Sequence, residues 1–330
     1  MKIVVNINYL CGGMMAVLMG LLPLSTAQAH CFVGTRFLPA TLTIDDPCVA
    51  DELSLPTVSR SKTSDVPSAT DFQLSGDLSK RITENLGITI GTDWTRLDTP
   101  DSQRTSGFGN LGTTVQYQFM NNAPHEFAMS AGIGVEWGGT GAKALADSFS
   151  TVTPSLQFGK GMGDLPDEMG WARPLALTGQ IGYSIPTRSS TKTVDSGTGI
   201  VSSTPNPRFL TYGATLQYSM PYLASSVVDL GLSSFVNHLI PIVEAQFATP
   251  IANNAGTDIK TTGTINPGVI WVGSYFQVGV EAIVPFNRDS GTGIGFLAQL
   301  HFYLDDIFPK TIGQPLFESQ SSTPKSLFGN

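Results

Sequence analysis

Apolar and small polar residues alternate along most of this chain. In residues 111–119 and again in Phe127–Trp137, every second residue is apolar or aromatic, and those between are mostly Gly, Ser, Thr or Gln. A period of two is the pattern of β-strands with two unlike faces. Runs of about ten such residues, apolar on one face and small or polar on the other, are typical of transmembrane β-barrels. We therefore predict an all-β fold, a transmembrane antiparallel up-and-down β-barrel.

The alternation predicts twelve strands. Pro56 lies inside the first and cannot donate a ladder hydrogen bond, so that strand is the weakest. Ile240 and Ile242 interrupt the alternation of another strand, in residues 238–249. An even number is expected for a bacterial single-chain barrel. The predicted strands span residues 52–60, 72–80, 86–96, 109–119, 126–137, 151–159, 174–185, 207–219, 238–249, 262–273, 275–286 and 293–304.

Loop lengths and aromatic residues orient the barrel. Short connections are expected on the periplasmic side and long ones outside the cell. This puts the long loops 97–108, 138–150, 187–206 and 250–261 outside and both ends of the barrel in the periplasm, with small helices expected in 160–173 and 220–237. Aromatic residues on the outward face form two predicted belts at the membrane surfaces. They are Phe119, Phe127, Phe158, Tyr218, Trp271, Phe276 and Phe302 on one side, and Trp94, Trp137, Phe247, Phe286 and Phe296 on the other.

The first residues indicate export. Lys2 precedes an apolar stretch at 11–24 that is too short for a membrane helix, and small residues follow at Ala27 and Ala29. This is the pattern of a secretory signal peptide over residues 1–29. We divide the remainder into a periplasmic or plug segment (30–51), the barrel (52–304) and a periplasmic tail (305–330). The predicted location is the outer membrane of a Gram-negative-type bacterium.

Composition supports this class. Charged residues make up 13% of the chain, against about 25% in typical soluble domains. The net charge of −8 argues against nucleic acid as a partner. Cys11 leaves with the signal peptide, so Cys31 and Cys48 are expected to form a disulfide in an oxidising compartment.

The inward face predicts the character of the lumen. The inward positions include acidic residues, and Lys or Arg occurs on them only near the strand ends. Such a lining favours neutral or cationic solutes. Amide side chains could instead fill the lumen, or the N-terminal segment could occlude it, with Arg36 as a candidate partner for the acids. Both an open and a plugged barrel are consistent with the sequence. The predicted lumen-lining residues are Asp77, Asp93, Gln116, Glu136, Gln157, Gln180, Gln217, Glu244, Gln277, Glu281 and Gln299.

The sequence offers little catalytic chemistry. Only four histidines occur, no Ser-His-acid spacing stands out, and we predict no enzyme activity, cofactor or metal. One sharper hypothesis concerns His30, which cleavage after Ala29 would expose at the new N-terminus. Its amine and imidazole could together chelate copper, although no second ligand residue is identified.

Several strands carry a family resemblance. Residues 111–119 (LGTTVQYQF), Leu175–Pro186 (LALTGQIGYSIP) and 295–304 (GFLAQLHFYL) resemble strands of the phenol-degradation-pathway (MetA-type) outer-membrane family. The resemblance implies a barrel for passive uptake of small neutral, apolar or aromatic solutes, with membrane lipid as its surroundings. The alternative is a structural or assembly protein that anchors a periplasmic protein partner through its N-terminal segment.

Overall fold

The computed structural model describes residues 31–100, 104–194, 197–254 and 260–317. The predicted signal peptide, His30 and the last part of the predicted tail lie outside the described residues.

Twelve long strands form a closed antiparallel barrel, as the sequence predicts. Each strand pairs with the next one along the chain, and the last pairs with the first, which closes the sheet. The short β6 (Thr105–Phe108) pairs with one end of β5 (Leu86–Asp98), beside β7 (Leu111–Asn122). The twelve are β3 (Glu52–Lys62), β4 (Thr70–Arg81), β5 (Leu86–Asp98), β7 (Leu111–Asn122), β8 (Phe127–Trp137), β9 (Thr151–Gly161), β10 (Leu175–Pro186), β13 (Arg208–Tyr218), β14 (Leu239–Ala252), β15 (Thr262–Val272), β16 (Phe276–Pro285) and β17 (Gly295–Tyr303).

Pro56 does not prevent β3 from forming. The register of β3 shifts between Ser54 and Thr57 against β4, and Thr57 pairs with Gln299 while Ser54 pairs with His301. The ladder therefore skips Leu55 and Pro56, and the proline has no N–H to donate. An irregularity of this kind lets a strand keep a proline without losing its place in the sheet.

Smaller elements lie outside the barrel ladder. The hairpin β1 (Phe32–Val33) and β2 (Arg36–Phe37) precedes the barrel, and β11 (Ser190–Val194) and β12 (Val201–Pro205) form a hairpin within the long loop predicted at 187–206. The small helices expected in 160–173 and 220–237 are present. The short helical turns are Ala123–His125, Asp167–Ala172, Met220–Tyr222, Leu223–Val227, Ser234–Asn237, Arg288–Ser290 and Leu304–Ile307. Across the described ranges, no helix has the length and apolar character needed to cross a membrane.

The two ends of the barrel differ. We call the end where β3 begins and β17 finishes the terminal end, since residues 31–51 and 304–317 adjoin it. The other end, which carries the long loops 138–150 and 187–207, is the loop end.

The outside of the barrel is apolar along every strand. Outward side chains such as Val115 and Ile133 are 47% and 56% exposed, while their inward neighbours are small or polar. Rings of the predicted belts meet across strands: Trp271 with Phe276 at the terminal end, and Phe247 with Phe286 at the loop end. Each barrel strand contributes an exposed apolar side chain: Leu55, Leu78, Ile90, Val115, Ile133, Leu156, Ile181, Leu216, Val243, Ile265, Val280 and Phe296.

Candidate functional site: the lumen and the N-terminal segment

The N-terminal segment (residues 31–51) contacts the inner wall of the barrel. Its disulfide joins Cys31 to Cys48, as predicted. Cys31, Val33 and Leu38 pack against two small inward residues, Ala128 and Ala176. The segment therefore has an apolar core that it shares with the barrel wall.

A second apolar contact explains the interrupted alternation of β14. Ile240 and Ile242 face inward and are buried, and Phe37 and Leu42 of the N-terminal segment pack against them. An apolar residue on an inward position would be poorly placed against water, but here it is covered by the segment. The irregularity in the sequence thus marks where the segment lies.

Inward glycines make room for the same segment. A Cβ placed on Gly279 would lie 2.5 Å from a methyl group of Leu42, and one on Gly159 would lie 2.6 Å from Leu38. Gly213 stands in the same relation to Ile44 at 2.3 Å. Side chains at these positions would clash with the segment, because interiors have few spaces of that size.

Polar contacts fix the segment along β7, β14 and β16. The backbone N–H groups of Leu42 and Thr43 donate to the two carboxylate oxygens of Glu244 at 2.9 and 2.8 Å. The amide of Gln116 donates to the carbonyl oxygens of Asp46 and Cys48 at 3.0 and 3.1 Å. The amide of Gln277 also donates to a backbone carbonyl oxygen of the segment. Three of the predicted lumen residues therefore satisfy backbone groups of the segment.

Arg36 anchors the β1–β2 hairpin. Its guanidinium is fully buried, lies 3.0 Å from a carboxylate oxygen of Glu126, and donates to the carbonyl oxygens of Arg173 and Pro174. It also lies over the ring of Tyr222, 3.7 Å from the centroid. The sequence suggested Arg36 as a partner for the inward acids of the strands. That expectation was wrong: the partner is Glu126, in the turn before β8.

The other end of the segment is held by Asp51. Its carboxylate is fully buried and accepts from Lys80 at 2.8 Å and from Arg81 at 2.9 Å. Asp305 lies beside the same cluster, 3.6 Å from Arg81. Burial, and then the nearby Glu52 carboxylate, raise the pKa of Asp305 to about 8.

An open vestibule occupies the lumen at the loop end. It has a volume of 740 Å³ and is lined mainly by carboxylate, hydroxyl and amide side chains and by glycines. No Lys or Arg occurs among the described residues that line it. The predicted residues Asp77, Asp93 and Glu136 are here, and Asp71 and Asp147, which parity did not single out, join them. The vestibule therefore presents five carboxyl groups to its contents.

A smaller cavity lies between the N-terminal segment and β3, β4, β5, β7 and β17. Its volume is 270 Å³, and its acids are Asp45 and Asp46 from the segment together with Glu52 and Asp77 from the wall. Asp45 is exposed to this cavity, and its desolvation inside the barrel raises its pKa. Burial, followed by the charge of Glu52, raises the pKa of Asp46 well above its ordinary value. We call this space the side cavity.

The remaining predicted lumen residues have different surroundings. Gln157 and Gln217 are buried and lie close to hydroxyl groups of neighbouring strands, and Gln180 borders a shallow pocket by Tyr212. Glu281 is buried next to Asn266 and Glu244. Neither Glu244 nor Glu281 lines the vestibule or the side cavity. The wall acids that line the two spaces therefore lie on β3, β4, β5 and β8 and in the loop after β8.

Ser54, His301 and Glu52 form a cluster where β17 pairs with β3, which the sequence did not predict. The hydroxyl of Ser54 lies 2.8 Å from Nδ1 of His301, and Nε2 of His301 lies 3.4 Å from a carboxylate oxygen of Glu52. These are the residue types of a hydrolase triad. Ser54 and His301 are 247 positions apart and become neighbours only because β17 pairs with β3.

Comparisons with known proteins give matches to solved outer-membrane proteins at low identity. No protein-family model and no curated protein matches the chain. An outer membrane channel from Pseudomonas putida F1 matches with 15% identity and a TM-score of 0.49, over 81% of this chain and 98% of that one. The NanC porin matches with 9% identity and a TM-score of 0.44, over 75% and 98%. Outer membrane phospholipase A from Escherichia coli matches with 10% identity and a TM-score of 0.37, over 84% and 96%.

Proposed function

We propose that this protein is an outer-membrane channel for passive uptake of small polar solutes, neutral or cationic. The observation that carries the proposal is the vestibule of 740 Å³, open inside a barrel that exposes apolar side chains on every strand. A closed barrel leaves no sheet edge in the lipid, and its alternating strands separate a wet lumen from the bilayer.

The lining supports a polar solute. Five carboxyl groups line the vestibule, with no Lys or Arg among the lining residues that the structure describes, and such a lining attracts cations and repels anions. Aromatic or apolar solutes are implied by the family resemblance, but few apolar side chains line the vestibule, among them Leu97, Val135 and Leu145. We therefore place cations and neutral polar molecules first.

We further propose that residues 31–51 act as a partial plug at the terminal end, one that leaves the side cavity open. Support comes from the packing, glycine contacts and hydrogen bonds that join the segment to at least seven strands, β7–β10 and β13, β14 and β16. A segment so occupied has less free surface for a periplasmic partner, which weakens the assembly alternative.

Single-channel recording on the purified full-length protein in a planar bilayer tests the channel. We expect conductance steps in KCl and a reversal potential that shows K⁺ preferred over Cl⁻. A full-length protein that inserts but never conducts, even after deletion of residues 30–50, would overturn the proposal.

A second activity, acyl transfer, has the Ser54–His301–Glu52 contacts in its favour. Incubation with a fluorophosphonate probe tests it, with Ser54→Ala as the control. Labelling that is lost in Ser54→Ala would support it, and absence of labelling in the intact protein would leave the group a structural link between β3 and β17.

A further inference from the structure

The side cavity and the vestibule adjoin one another. Asp77 on β4 and Thr114 on β7 line both spaces. Asp77 pairs with Gly91 across the sheet, and a Cβ on Gly91 would overlap the carboxylate oxygen of Asp77. The missing side chain at Gly91 thus provides the space in which the carboxylate sits at the junction.

The N-terminal segment covers the β3–β5 side of the barrel less than the rest. Its apolar packing and its hydrogen bonds to Gln116, Glu244 and Gln277 lie on β7 to β16. On β4 and β5 it reaches the wall at the terminal end, where Asp51 binds Lys80 and Arg81 and Val49 lies against Gly87. Four of the five vestibule acids lie on β4, β5 and β8. The vestibule and the side cavity therefore form an off-axis space along one wall of the barrel, which we call the lateral path.

The charged side chains that border this path are mainly negative. Asp71 and Asp93 border the vestibule, Asp77 stands at the junction, and Asp46 and Glu52 border the side cavity. Lys80 is the single Lys or Arg among the described lining residues, and its ammonium is held by Asp51 and the carbonyl oxygens of Ile312 and Gln314.

An unsatisfied polar atom at the side cavity points independently to a bound donor or cation. Gln299 lines the cavity and is 8% exposed, and its amide nitrogen donates to Thr57. Its carbonyl oxygen has no hydrogen-bond partner among the described residues. Buried acceptors are normally satisfied, and an amide oxygen beside carboxylates is a good ligand for an alkali ion or an ammonium group.

We propose that small monovalent cations occupy the side cavity and pass between the segment and β3–β5 while the segment stays docked. This inference rests on the proposed channel function and specifies its route and its solute class. A lateral path needs no large rearrangement, so conduction should be insensitive to immobilisation of the segment.

A disulfide between Leu42→Cys and Gly279→Cys would immobilise it. Cγ of Leu42 lies 3.2 Å from the Cβ position at residue 279, so a sulfur at 42 would reach a cysteine at 279. Reduction would also open Cys31–Cys48, so the matched control is the single variant Leu42→Cys. Formation of the lock is verified by the absence of free thiols under denaturing conditions.

We expect the locked barrel to conduct K⁺ like the control and to show a weaker preference for K⁺ over Cl⁻ when Asp77→Asn is added. A locked barrel that is silent while the control conducts overturns the lateral route and leaves the channel intact. If Asp77→Asn does not change the ion selectivity of the locked barrel, the lateral route is also overturned. Silence of both the control and the wild type refutes the channel itself.

Discussion

Arg36 and Glu126 form a buried ion pair, with 3.0 Å between the guanidinium nitrogen and the carboxylate oxygen. Arg36 comes from the N-terminal segment, and Glu126 from the turn between β7 and β8. The pair therefore joins the segment to the rim of the barrel, and it is desolvated on both sides, with 0% and 6% side-chain exposure.

Removing one partner of this pair should release the β1–β2 hairpin. Breaking a buried ion pair by removing one member costs about 3–5 kcal/mol, because the other charge stays buried without compensation. We expect Arg36→Leu to raise protease sensitivity within residues 31–51 and to leave the heat-modifiable barrel band unchanged. Arg208→Leu, at an exposed strand start, is the control. A segment as resistant as in the wild type would show that the pair does not anchor it.

A side chain at Gly279 should displace the segment by steric overlap. Gly279→Val would put atoms where Leu42 lies, and overpacking of this kind costs about 1–3 kcal/mol. Hydrogen exchange of the Leu42 and Thr43 amides, which donate to Glu244, should then accelerate. Gly112→Val is the matched control, since the nearest atom to a Cβ at Gly112 is a backbone oxygen 3.7 Å away. Equal exchange rates in the two variants would contradict the docking contact.

Opposite faces of β7 should respond differently to a charge. Val115 faces outward and is 47% exposed, whereas Thr114 lines both internal spaces. Arg on the lipid face near mid-bilayer costs about 2–4 kcal/mol, and a lumen position is far more tolerant. We expect Val115→Arg to reduce the yield of folded barrel and Thr114→Arg to preserve it while lowering cation conductance. Equal folding yields would invalidate the assignment of faces.

The strands could be predicted because their pattern is local. A barrel wall needs an apolar outward face wherever it meets lipid, so alternation alone located all twelve strands. The alternation also predicted which residues face inward, but not what covers them inside the barrel. Glu244 and Asp93 have the same parity signal, yet one is covered by the N-terminal segment and the other lines the vestibule.

Long-range contacts could not be predicted from the alternation of apolar and polar residues. The contact of Ser54 with His301 depends on barrel closure, and that of Arg36 with Glu126 depends on how a non-repeating segment folds. One signal was available: Ile240 and Ile242 are apolar on inward positions, which indicates that something other than water covers them.

Docking of the segment should strengthen on acidification. The pKa values of Asp45 and Asp46 are raised above 3.8 in the docked segment, chiefly by burial. The docked state therefore binds more protons than the undocked one, so the free energy of docking becomes more favourable as the pH falls from neutral toward 3.8. Hydrogen exchange across residues 38–44, corrected for its intrinsic pH dependence, should slow. Asp46→Asn should flatten this response, and a segment that loosens in acid would refute it.

Ion selectivity should depend on the lining acids and not on every inward acid. Asp77, Asp93 and Glu136 border the open spaces, so converting all three to their amides removes charge that a permeant ion meets directly. The reversal potential in a KCl gradient should move toward zero. The matched control is Glu281→Gln, since Glu281 is inward and buried but borders neither space. If Glu281→Gln shifted the reversal potential as much as the triple variant, ions would have to pass along β16, against the wall that the N-terminal segment covers. Folding should be retained in both, because these carboxyl groups lie on the inward face, away from lipid, and heat modifiability on a gel checks it.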